Sequence, residues 1–145
     1  MATYSLPDAV ETAAAAYLGT LLGLEVRTTE DSSMVWDKTD VFAAVESTSG
    51  LEGLPGNARL FVRIEVRTFL PLYSSRPAAI DLHRRTFQNI LSGVMVAEFG
   101  ANLEGASSDF TVDGVASGEE MGRRLDSNGM LISTITREIT AHPKA

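Results

Sequence analysis

The chain has 145 residues, 44% of them apolar and 21% charged, with a formal net charge of −7 and no cysteine. That length holds one domain around one core, so we expect a single α+β domain over residues 1–145. The acidic balance argues against a protein that grips nucleic acid by neutralising phosphates. The missing cysteines exclude disulfides and thiolate metal sites, and no window approaches the roughly 20 apolar residues of a membrane span.

The opening Met-Ala-Thr-Tyr-Ser-Leu-Pro-Asp lacks the basic and apolar regions of a secretory signal, and the expectation is a soluble protein of a reducing compartment. Ser5, Pro7 and Asp8 instead form a helix start: an N-cap, a first-turn proline and an acidic residue placed for a capping box. Val10, Ala14, Tyr17, Leu18, Leu21 and Leu22 follow at helical spacing until Gly23, which predicts a helix over 7–22. Its alanine run, 13–16, suits either close packing on a sheet or plain helix formation.

Residues 24–29 alternate apolar and charged side chains and read as a short strand. Met34-Val-Trp36 holds the only tryptophan, a core or interface anchor. A strand over 41–46 is expected to pair with the longer one downstream. The loop between them, 47–57, carries three glycines and a proline and is too long for a tight hairpin. Its Leu51 and Leu54 either order on a partner or fold back on the core.

Residues 58–70 give the firmest signal. Leu60, Val62, Ile64, Val66, Thr68 and Leu70 fall on one side of an extended chain, and Arg59, Phe61, Arg63, Glu65, Arg67 and Phe69 on the other. Pro71 closes this strand. A turn with a helix cap at 74–77 leads into a helix over 77–95, whose Ile80, His83, Phe87, Ile90, Leu91 and Val94 share one face. That face packs most simply on the apolar side of the strand.

The glycine-, serine- and alanine-rich stretch 98–109 reads as a loop, and 110–115, 120–125 and 130–140 as strands, followed by a polar tail over 141–145. Asn128-Gly129 between the last two strands signals a tight hairpin in which both central residues take positive φ. The expected architecture is α+β: a mixed, mainly antiparallel sheet of four to five strands, two helices packed on one face, and a C-terminal β-hairpin.

Few residues point to catalysis. His83 lies on the apolar face of its helix, as a satisfied core or boundary histidine would, and His142 precedes a proline in the tail. There is no nucleophile elbow, phosphate-binding loop or metal-ligand spacing. The pairs Glu30/Asp31 and Glu119/Glu120 sit in loops or at strand ends, where neighbouring carboxylates do not share a proton. No catalytic residue, metal or cofactor is expected. A ligand-binding domain of cellular origin would have only His83, Arg84 and Tyr73 to draw on. The basic clusters Arg59/Arg63/Arg67, His83/Arg84/Arg85 and Arg123/Arg124 suit carboxylates of another protein surface or of the chain itself.

The order of elements resembles the tail terminator, or tail-completion, proteins of long-tailed bacteriophages. The likeness runs through strand 41–46, the glycine-rich loop, Arg-Ile-Glu-Val-Arg-Thr-Phe-Leu-Pro at 63–71, the turn at 115–118, Arg-Arg-Leu-Asp at 123–126 and Leu-Ile-Ser-Thr-Ile-Thr-Arg-Glu-Ile at 131–139. It covers about 7–140; residues 31–40 and the tail have no counterpart. The resemblance implies a hexameric ring that caps the tail tube in the virion neck, assembled in the cytoplasm of a bacterial host, and no catalysis. Implied partners are further copies of the chain, the tail tube protein and a head-completion or connector protein, with DNA passing through the lumen unbound and no membrane. On this reading Arg59, Arg63, Glu65, Arg67, Arg123 and Arg124 lie at subunit contacts, and Leu51, Leu54, Asn57 and Asn128 at axial contacts with tube or connector. A head-completion (stopper) or tail-tube subunit is the neighbouring alternative.

Overall fold

The computed structural model describes residues 6–28, 39–47 and 58–144. The Ser5 cap, the Met34–Trp36 island and Leu51, Leu54 and Asn57 lie outside them. Helix α1, Leu6–Leu22, ends as expected at Gly23, which takes φ 69°, the left-handed conformation that favours glycine just past a helix. Of the expected strand at 24–29, the described residues 24–28 show one parallel bridge, between Arg27 and Phe42. Strands β1, Thr39–Ser47, and β2, Ala58–Phe69, pair antiparallel. Leu70–Leu72 is a single 3₁₀ turn, so β2 stops one residue short of the predicted end, at the proline.

Helix α2, Arg76–Gly93, starts at Ser75, whose hydroxyl accepts from the Ala78 N–H at 3.4 Å. A third helix, α3, Val96–Ala106, replaces the expected loop. Its Gly100 is a packing residue rather than a breaker: a Cβ there would sit 3.1 Å from Val112 Cγ1 and 3.3 Å from Val115 Cγ2. Strand β3, Phe110–Leu125, is continuous where two strands and a turn at 115–118 were expected, because register shifts between Val112/Gly114, Ser117/Glu120 and Met121/Arg124 absorb the irregular pattern as bulges. Strand β4, Met130–Pro143, takes in most of the expected tail and buries Ala141.

The four strands are ordered β1-β2-β4-β3 and are antiparallel throughout. Leu60, Val62, Ile64 and Val66 of β2 and Ile135 and Ile139 of β4 form the floor of the core. Val10, Ala14 and Leu18 of α1, Ile90 of α2, Val94 just beyond it, and Phe99 and Leu103 of α3 form its roof, all without solvent exposure. Each large side chain among them contributes on the order of 1.5–3 kcal/mol by leaving water. Ala13 and Ala14 are buried and Ala16 is exposed, so the alanine run serves both purposes weighed for it.

The β3–β4 turn differs from the expected one. Gly129 has φ 88° and Asn128 does not share its sign, no residue other than glycine having positive φ among the described residues. Asp126 C=O accepts Gly129 N–H at 3.3 Å, and Asp126 N–H donates to Met130 C=O at 2.9 Å. This is a three-residue loop, a turn followed by one left-handed glycine. Asp126 Oδ1 holds it by accepting from the N–H groups of Asn128 and Met130 at 2.8 and 2.9 Å.

Candidate functional site: the open face of the sheet

Alternation along β2 sends Arg59, Phe61, Arg63, Glu65, Arg67 and Phe69 to the side of the sheet away from the helices. Register extends this face in rows across the sheet. Asp40, Arg67, Ile132 and Arg124 form one row, and Glu46, Phe61, Glu138 and Ala116 another.

Charge alternates within this face. Arg59 pairs with Glu138, and Arg67 with Glu65 two residues back on the same strand. Arg63 lies 3.9 Å from Glu46, a pair with both side chains largely in solvent. The Arg67 guanidinium also stands 4.6 Å above the centre of the Phe42 ring, a cation–π contact. Asp40, opposite Arg67, lies 3.4 Å from Arg27. The hydrogen bond from Arg59 to Glu138, and then their opposite charges, raise the Arg59 pKa. Shallow depressions on this face are lined by Glu46, Phe61, Arg63, Gly118 and Thr136, and by Phe42, Arg63, Glu65 and Arg67 with neighbours. Both are open to solvent.

The structure thus gathers Arg59, Arg63, Glu65, Arg67 and Arg124 on one face. Arg123 is exposed within the irregular part of β3, and Asn128 sits at the exposed hairpin tip, away from the arginines of β2.

The covered side holds the polar groups that a ligand site would need, but they do not converge. His83 is buried, its Nδ1 2.9 Å from Thr68 Oγ1 and its Nε2 2.8 Å from Ser133 Oγ. Burial first, and the charge of Arg123 second, lower its pKa from 6.5 to about 4. The imidazole is therefore neutral near pH 7, donating to one hydroxyl and accepting from the other. Arg84 faces solvent and pairs with Asp81 at 2.6 Å, while the Tyr73 hydroxyl bonds Thr39 Oγ1 at 2.6 Å. Among the described residues no three His, Asp or Glu side chains are grouped to hold a metal.

Three further residues were not singled out from sequence. Arg137 stands in the inward row of β4 and donates from Nε to Val94 C=O at 2.7 Å, placing a cation at the C-terminus of α2. An arginine in a row of isoleucines was its available signal. Glu11 and Glu104 each accept from a strand N–H, and nothing in their local sequence announces it.

No family model matches the chain. No curated protein matches it either. Among solved structures it is similar to a chain described as "Virion of native gene transfer agent (GTA) particle", with 18% identity and a TM-score of 0.48, over 95% of this chain and 99% of that one.

Proposed function

We propose that this protein is a structural virion subunit that caps the completed tail tube of a phage as a ring and offers the surface to which the head is joined. The observation that carries the reading is the open sheet face. It is an arginine-rich, aromatic and charge-alternating surface, laid out as an interface is. The order of helix, strand, long strand, helix and closing hairpin that the resemblance drew on recurs in the fold with a third helix inserted before the hairpin and no turn at 115–118.

The subunit does no chemistry in this role. Copies of the chain meet through the open face, with Arg59, Arg63, Glu65, Arg67, Arg123 and Arg124 at or beside the contacts. The hairpin tip at Asn128 faces the tube or connector along the tail axis. A ring of subunits each carrying −7 surrounds an electronegative lumen through which DNA slides without being held. The ring, six-membered on the resemblance, belongs to the neck of the virion and assembles in the cytoplasm of the bacterial host.

The test is the mass of the purified protein across a concentration range, with negative-stain imaging of the protein alone and mixed with tail tubes. Rings, or caps on tube ends, are expected. A strict monomer that ignores tubes refutes the proposal, and so does unchanged assembly in the double variant Arg63→Glu/Arg67→Glu.

A further inference from the structure

The sheet has two edges, β1 and β3. An edge strand presents a row of backbone N–H and C=O groups that invites a strand from another chain. On β1 three of those groups, at Val41, Ala43 and Val45, are taken by the chain itself. Arg27 N–H donates to Val41 C=O at 2.8 Å, and Arg27 C=O accepts Ala43 N–H at 2.8 Å. Two residues further, Val45 N–H donates to Glu11 Oε1 of α1 at 3.2 Å. Glu11 is only 8% exposed. A carboxylate among the buried residues of an otherwise apolar helix stripe needs a polar reason to be there, and this amide is one.

The other edge repeats the device. Val112 N–H of β3 donates to Glu104 Oε1 of α3 at 3.1 Å. Beyond it three register shifts interrupt β3, so no long regular stretch remains to template a partner. Two helices far apart in sequence thus each send one glutamate to an outward-facing strand amide.

We infer that Glu11 and Glu104 are edge guards: they deny β1 and β3 to the strand of a second copy and leave the open face as the surface through which copies meet. Charge points the same way. Molecules of net charge −7 repel one another, but on the open face Arg59, Arg63 and Arg67 are balanced by Glu46, Glu65 and Glu138. That face is near neutral where the whole molecule is not, so two copies meet there with the least repulsion. The second half of the inference rests on the ring-forming reading above, whereas the guards do not.

The test is backbone amide hydrogen exchange on the full chain, comparing wild type with Glu11→Ala, Glu104→Ala and the corresponding Gln variants. A carboxamide keeps an acceptor oxygen and alanine keeps none. The alanine variants are expected to exchange Val45 or Val112, respectively, about tenfold faster. Ala43, held by Arg27, stays protected, and the Gln variants keep most of the protection. The double alanine variant is also expected to form larger species with an intermolecular β signature in the infrared, and to do so even when Arg63→Glu/Arg67→Glu is added. Unchanged exchange at Val45 and Val112 in folded alanine variants overturns the inference, as does a double variant that associates no differently from wild type. If Glu11→Ala does not fold, Glu104→Ala and Glu11→Gln decide. A monomeric wild type with the expected exchange pattern removes the open-face half and leaves the guards standing.

Discussion

The two faces of the sheet are built from alternate residues of the same strands yet obey opposite rules. On the covered face Leu60, Val62, Ile64 and Val66 meet Ile90, Phe99 and Leu103, and the polar groups admitted, His83 with Thr68 and Ser133, are bonded to one another. On the open face no helix intervenes among the described residues, and arginines, glutamates and phenylalanines pair with one another, most of them partly in solvent and Glu65 buried. One face holds the fold together, and the other is the one to which the proposed function assigns recognition. Substitutions should therefore separate cleanly, those on the covered face moving stability and those on the open face moving assembly.

The largest expected effect is on the covered face. Phe99→Ala should cost about 3–5 kcal/mol of unfolding free energy in urea titration, because the helix around Gly100 packs too closely on β3 for the site to collapse freely. A loss confined to α3, with the remaining strands unaffected, would show instead that α3 is an appendage and that the two faces are less unequal than argued.

The next effect is a dependence on pH. The folded-state pKa of His83, about 4, lies below the value near 6.5 of the unfolded chain, so between these the unfolded state binds the extra proton. The stability contributed by the neutral imidazole is complete above about pH 6.5 and is lost as pH falls towards 4, by up to about 3 kcal/mol. His83→Gln should flatten that stretch of the stability curve. An unchanged slope would assign the acid sensitivity to carboxylates.

Smaller again, Arg137→Met should lower stability by about 1 kcal/mol through the lost contact with the α2 C-terminus, read from the thermal midpoint. The smallest change in stability is expected where the largest change in assembly is. Arg63→Glu, at a pair with both side chains largely in solvent, should leave the monomer within about 1 kcal/mol of wild type while disrupting rings in negative stain. A collapse of stability in that variant would erase the contrast between the faces.

Much of this arrangement was legible in the residues. The alternation of 58–70 placed both faces of β2 correctly, helical spacing found α1 and α2, and Asp126 to Gly129 marked the hairpin. What escaped shares one physical cause, which is that long-range contacts decided it. Gly100 and Gly105 read as loop formers until β3 supplied the reason for a close approach at Gly100. The alternation of 24–29 looked like a strand, but among its described residues only Arg27 bridges to β1. The bulges of β3 are imposed by pairing with β4, and Glu11 and Glu104 find their amides 34 and 8 residues away. For the site, sequence named the arginines of β2 but not their carboxylate partners Glu46 and Glu138, which only the register brings near.

The hairpin tip carries one more implication. Gly129 C=O accepts the Leu70 N–H at 3.1 Å, and a side chain at Gly129 would sit 3.2 Å from the Pro71 ring, so the turn is braced against the junction of β2 and α2. Asn128 thus sits one residue from a hydrogen bond to the end of the central strand. The tip is thereby tied to β2, the strand whose alternate residues make both faces of the sheet.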